Sequence, residues 1–275
     1  GPSAPLHLLG YSNGGALATQ YALAALADPQ LARPDRVVLV SPMIGVTAFA
    51  RFAGVFGWPA LFPAFANAAW LGIVTEYNPF KYNSFPINGA RQSSLLTREL
   101  QGAIDDAVTS GRIARMPPVL TFQSVIDFTV STQAIVDALY AVLPANGSEL
   151  VLFDVNRHAQ LSPLLSARSL DALDRIMAPP PRNYRSAVIM NADAPSGVVV
   201  ERSVDAGATA ATLRPLSLGY PSGMFSLSHI ALPFAMDDPL YGIEAAPDAH
   251  KQFGINLGSV GGRGETGALI VNADA

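Results

Sequence analysis

An α/β fold, a mostly parallel sheet with flanking helices, is the class this sequence predicts, and three observations predict it. Short runs rich in Val, Leu and Ile recur along residues 6–156, Ala/Leu stretches of helical length separate them, and Gly, Pro or Asp punctuate the junctions. LHLL (6–9) reads as a buried strand, and residues 14–27 read as a helix ending at Asp28-Pro29. RVVLVS (36–41) is a second strand, stopped by Pro42. VLTFQSVID (119–127) makes a third strand, 131–143 a helix, and ELVLFDVN (149–156) a fourth strand. A helix over 163–177 follows, halted in APPPR at Pro179, which cannot extend it. SAVIMN and GVVVERSV then flank ADAPSG as an antiparallel hairpin, ahead of LRPLSLGYPSG and a Gly-rich ending. The expected organisation is a core of 1–43 and 116–177, an insertion over 44–115, and a C-terminal elaboration over 178–275.

The insertion carries the most apolar stretch. Residues 52–74 (FAGVFGWPALFPAFANAAWLGIV) hold no charge over a length that could cross a bilayer. Pro59, Pro63 and Asn67 argue against a span, since each proline removes a helix hydrogen bond that lipid cannot replace. The segment also sits between strands that must rejoin one sheet. A cap or lid fits best, contact with a membrane surface comes next, and a span last. The plainest alternative is that its Phe and Trp residues fill the cap's own core. An apolar lid implies a hydrophobic small-molecule substrate.

Composition excludes several function classes. Half of the 275 residues are hydrophobic, only 14% are charged, and the net charge is −4 with no Lys/Arg cluster, so no nucleic-acid partner is expected. With no cysteine, disulfides, thiolate nucleophiles and Cys-ligated zinc are ruled out, and the redox compartment stays open. The histidines His7, His158, His229 and His250 never fall at metal-ligand spacing, so neither a metal nor a cofactor is expected.

The chemistry concentrates at Gly10-Tyr11-Ser12-Asn13-Gly14, a G-x-S-x-G pattern between an apolar strand and an Ala/Leu helix. A strand entering a helix through one tight turn strains its central residue, and glycines two residues to either side remove the Cβ atoms that would clash. The Ser12 hydroxyl is thereby presented at the sheet edge, and the Asn13 N–H opens the helix where donors and dipole favour a developing oxyanion. The competing reading is an incidental serine in a Gly-rich turn. A serine nucleophile needs a base and an orienting acid. Asp127, at the end of the third strand, is the candidate acid, with a helix N-cap as its structural alternative. Asp154 is the weaker rival. For the base, His158 in VNRHAQ and His229 in FSLSHIALPF both follow the fourth strand; His7 and His250 read as structural or solvent-facing.

On LHLLGYSNGGALA, RVVLVSP, EYNPFKYNSFP, VLTFQSVIDFTV and FSLSHIALPFAMDDPLYG, the chain resembles the α/β-hydrolase superfamily, and within it bacterial serine esterases and lysophospholipases of the serine-aminopeptidase-like group. The resemblance implies the order Ser, Asp, His, hence Ser12 as nucleophile, Asp127 as acid and His229 as base, with His158 as the alternative. His229 is favoured because such esterases often place the histidine directly after a serine with an Asp several residues on, as Ser228 to Asp237 do. The implied activity is hydrolysis of a hydrophobic ester or lipid; thioester, amide or acyl-transfer chemistry shares the triad, and a non-catalytic binding or assembly scaffold is the alternative from another class. A complete member has several strands before the elbow and a loop that gives the second oxyanion donor. Those N-terminal strands are absent here, so an upstream segment of the same protein or a companion chain is expected to supply them, and activity is expected to need it.

Overall fold

β1 (His7–Tyr11), α1 (Asn13–Ala27) and β2 (Arg36–Val40) open the chain in the order the sequence predicts. The computed structural model describes residues 4–45, 70–72, 85–125, 127, 130–154, 173, 176–192 and 198–219. Two short strands, β3 (Trp70–Gly72) and β4 (Phe85–Pro86), pair antiparallel and lead into α2 (Ile87–Thr109). A 3-10 turn over Arg112–Arg115 precedes β5 (Val119–Ser124). Next comes α3 (Thr132–Ala134), which goes on as a π turn over Ile135–Leu139 and a 3-10 turn over Tyr140–Val142. β6 (Glu149–Asp154), β7 (Arg185–Asn191), β8 (Val198–Val204) and β9 (Thr212–Gly219) complete the described elements.

Seven strands form one sheet in the order β1-β2-β5-β6-β7-β8-β9. The pairs from β1 to β7 are parallel; β7–β8 and β8–β9 are antiparallel. The fold is therefore α/β with a mostly parallel sheet. The predicted hairpin around ADAPSG is present, but it is no separate appendage: β7 pairs with β6 in the core sheet from Glu149↔Arg185 to Asp154↔Met190. β9 tolerates Pro215 because, among the described residues, it closes the strand order, where a missing N–H need not leave a ladder bond unmade.

The central strands are buried because parallel strands carry cover on both faces. Val37, Leu39, Leu150 and Leu152 are fully buried and share one apolar cluster with Leu23 and Leu26 of α1 and Leu100 and Ile104 of α2. α2 belongs to the predicted insertion, yet its buried positions Ile87, Ala90, Ser94, Thr97, Leu100, Ile104 and Ala107 recur at helical spacing and face that core. Ser131 caps α3, its hydroxyl accepting the Ala134 N–H at 3.1 Å. Tyr140, fully buried, donates its hydroxyl to the Glu149 carbonyl at 2.6 Å and meets the Tyr184 ring edge-on at 4.7 Å between centroids.

Two expectations need correction. The first strand is not buried: Leu9 is 74% exposed and Tyr11 44%, and Leu17 on α1 is 57% exposed, because β1 ends the strand order among the described residues. The third strand stops at Ser124, which leaves Asp127 in the connection to α3. Of the helix expected over 163–177, only Leu173, Ile176 and Met177 are described, and they pack against the core. Among the described residues, no helix is long and apolar enough to cross a membrane.

β6 to β9 are also joined by charge. Arg185 bonds Glu149 and Glu201, Arg214 bonds the second Glu201 oxygen, and Asp205 lies 3.4 Å from Arg185 Nε. Burial of the Glu201 side chain, only 6% exposed, raises its pKa, but the hydrogen bonds and charges of Arg214 and Arg185 outweigh that and hold it below the ordinary 4.5. A carboxylate depressed on folding contributes stability that is complete above the unfolded value and lost as pH falls through the folded one. The urea midpoint is therefore expected to drop as pH falls below 4.5. Glu201→Gln should lower the midpoint at neutral pH and flatten that acid limb; an unchanged limb would mean that Glu201 does not report it.

Candidate active site

The turn between β1 and α1 is strained where the motif places its serine. Ser12 has φ 53° and ψ −118°, a conformation sparsely populated by residues with a Cβ. Hydrogen bonds fix it from both sides. The Ser12 N–H donates to the Val40 carbonyl at 3.0 Å, and its own carbonyl accepts from Gly15 at 3.0 Å, Ala16 at 3.4 Å and Met43 at 3.0 Å. One residue thus ties β1 to β2, the helix start and the segment after β2. Ser12 is partly exposed.

The glycines divide the work differently from the motif's symmetry. A Cβ on Gly10 would stand 2.4 Å from the Gly14 carbonyl oxygen and 2.6 Å from Gly15 Cα, so the first glycine is obligatory. A Cβ on Gly14 would meet nothing within 4 Å. The second close approach is made instead at Gly15, where a Cβ would lie 2.6 Å from Pro42 Cβ. The expectation that Gly14 relieves a clash is thereby corrected. The helix packs on the segment after β2 one residue further along.

Asn13 begins α1, and the helix's first N–H groups have no intrahelical acceptor. Its side chain donates to Ser93 Oγ on α2 at 3.0 Å, so α2 is anchored to the residue beside the serine. Gln101 of α2 donates to the Ile44 carbonyl at 3.2 Å, and the Ser131 N–H to Gly45 at 3.1 Å. Gly45 admits Ala134 closely: a Cβ there would be 2.4 Å from the Ala134 methyl. Both α2 and the start of α3 are laced to the segment behind the turn.

Asp127 follows β5, two strand positions from β1, which corresponds to about 10 Å at the usual inter-strand spacing. Its Oδ1 accepts the Val130 N–H at 3.0 Å and its Oδ2 accepts from Gln123 Nε2 at 3.2 Å. The N-cap of α3 is Ser131, so Asp127 is not that helix's cap. Gln123, fully buried in β5, also donates to Thr132 Oγ1 at 3.0 Å, and Thr132 in turn donates to the Ser124 carbonyl at 2.9 Å. The sequence signal for Gln123 was available: an amide within an apolar parallel strand needs buried partners. Asp154 is the last residue of β6 rather than an interior one, and is buried. His158 and His229 lie outside the described residues, and His7 is exposed. Among the described residues, no three His, Asp or Glu side chains are grouped closely enough to hold a metal ion.

No family model matches the chain, and no curated protein does. Among solved structures, a soluble variant of monoglyceride lipase from Saccharomyces cerevisiae, in complex with a substrate analog, is similar at 13% identity and a TM-score of 0.37 over 54% of this chain and 52% of that one. The chain thus spans about half the length of that lipase. Pyridoxal kinase from Staphylococcus aureus is similar at a TM-score of 0.25 in complex with AMP-PCP (11% identity) and with ADP (10% identity), each over 74% of this chain and 69% of that one.

Proposed function

We propose that the chain is the elbow-bearing part of an α/β-hydrolase that cleaves carboxylic esters of hydrophobic acyl groups. The observation that carries this reading is the Ser12 backbone: a serine held at positive φ in the tight turn between a parallel strand and a helix, with Gly10 admitting the helix's first turn. In the proposed reaction Ser12 Oγ attacks the acyl carbon while His229 takes its proton, and the Asn13 N–H stabilises the oxyanion. The ester C–O bond then breaks, the alcohol leaves with that proton, and water activated by the same imidazole releases the acid and regenerates Ser12. Asp127 orients the imidazole and balances its charge. Two features support that role. Asp127 is held by the Val130 N–H and Gln123, and an imidazole bonded at both nitrogens bridges oxygens about 8 Å apart, comparable with two strand spacings. His158 is the alternative base. In the same reading the insertion over 44–115, whose α2 packs on the core, carries a cap over the site with contact to a membrane surface among its roles, and a strand from an upstream segment or companion chain docks along β1, where Leu9 is exposed.

The test is covalent. A fluorophosphonate should label the full chain, supplied with its upstream segment, at Ser12, and Ser12→Ala should abolish labelling. His229→Gln should slow it strongly while His158→Gln should not. Absence of labelling in the complete assembly would overturn the catalytic reading and leave a hydrolase-like scaffold used for binding.

A further inference from the structure

The two faces of the β7–β8 ribbon treat their arginines differently. On one face Arg185, with Arg214 from β9, is neutralised by Glu149, Glu201 and Asp205. On the other face Val188 lies opposite Arg202 and Ser186 opposite Val204, and strand alternation puts all four side chains on the same side. With Arg182, Met177 and Thr209 they line a cavity of about 250 Å³, just below the range for drug-sized ligands and of a size for a smaller one.

Arg182 is committed but not satisfied. It donates to the Ala178 carbonyl and to Ser186 Oγ at 2.8 Å, and its guanidinium lies 5.8 Å from the centre of the Tyr184 ring. Its Nε is buried with no hydrogen-bond partner among the described residues. Among the described residues neither Arg182 nor Arg202 is paired with a carboxylate. Burial lowers the Arg182 pKa, Tyr184 opposes that, and the like charge of Arg202 adds to the lowering. Two guanidiniums sharing a partly apolar cavity without a counter-charge form an arrangement that a bound anion completes.

We propose that this cavity binds a small organic oxyanion carried on a short apolar chain, the head group between Arg182 and Arg202 and the chain along Met177 and Val188. The site lies four strand positions from β1, about 19 Å at ordinary spacing, so its occupancy is read independently of Ser12 chemistry. Calorimetric titration of the full chain with hexanoate, butyl phosphate and neutral hexanol tests it. At least one of the two anions should bind saturably at one per chain, the tighter of them identifying the head group, and hexanol should not bind. Arg202→Gln, at an exposed position, should weaken the anion by about tenfold or more, Arg202→Glu should abolish binding, and Ser12→Ala should leave it unchanged. Equal affinity in wild type and Arg202→Gln, binding of hexanol as tight as that of the anions, or no saturable heat at millimolar ligand would each overturn the proposal.

Discussion

Ser12→Gly is expected to stabilise the protein while destroying the ester hydrolysis proposed for it, and Ser12→Ala to destroy that hydrolysis without the gain in stability. The reason lies in the φ of 53° and ψ of −118° at Ser12. A residue with a Cβ held there costs of order 1–3 kcal/mol, whereas glycine enters positive φ freely and gives back roughly 0.5–1 kcal/mol through the flexibility it adds to the unfolded chain. The net gain for glycine is up to about 2.5 kcal/mol, visible as a higher urea midpoint. Alanine keeps the Cβ and so keeps the strain. Both variants lose the oxygen proposed to attack, and loss of a serine nucleophile lowers kcat by roughly 10⁴-fold or more. Hydrolysis of a short p-nitrophenyl ester by wild type and both variants, each supplied with the strand proposed to dock along β1, measures the chemical half; denaturation measures the other. A Ser12→Gly variant that keeps its activity, or whose midpoint falls, would remove the basis for reading the turn as a strained nucleophile elbow.

Gly10→Ala is the second large effect, about 3 kcal/mol or more of lost stability together with loss of fluorophosphonate labelling. The added methyl would stand 2.4 Å from the Gly14 carbonyl oxygen and 2.6 Å from both Gly14 C and Gly15 Cα. All three are backbone atoms of the first turn of α1, so no side chain can rotate away and the turn itself must open. Opening it moves Ser12. Gly14→Ala is the control within the same motif. Its methyl meets nothing within 4 Å, the position is helical, and exchanging glycine for alanine there is expected to add up to about 1 kcal/mol. Comparing the two urea midpoints separates the glycine that admits the helix from the one that does not, and equal costs would mean that the turn packs otherwise.

β1, α1, β2, β5, β6, the hairpin strands β7 and β8 and the special turn at Ser12 were legible in the sequence, whereas β3, β4, α2 and β9 were not. Each legible element depends on residues adjacent in the chain: Val, Leu and Ile runs bounded by Pro or Asp, an Ala-rich helix, and glycine beside a serine. The acid candidate was half legible. Its place after a core strand could be read, but its grip by Gln123 and the Val130 N–H could not, because a buried amide chooses its partners only once β5 and the start of α3 meet. The roles of His158 and His229 lie beyond the described residues, and their assignment stays a matter of sequence context.

By itself the sequence determined the class of fold and the local geometry of the serine, since backbone preference and apolar period are properties of neighbouring residues. Only the tertiary structure decided that β1 ends the strand order among the described residues with Leu9 exposed, that Gly15 rather than Gly14 meets Pro42, and that Arg182 and Arg202 share a cavity while Arg185 and Arg214 are neutralised. Burial, close approach and charge pairing are set by which distant segments come together, and the residues of one segment do not carry that information alone.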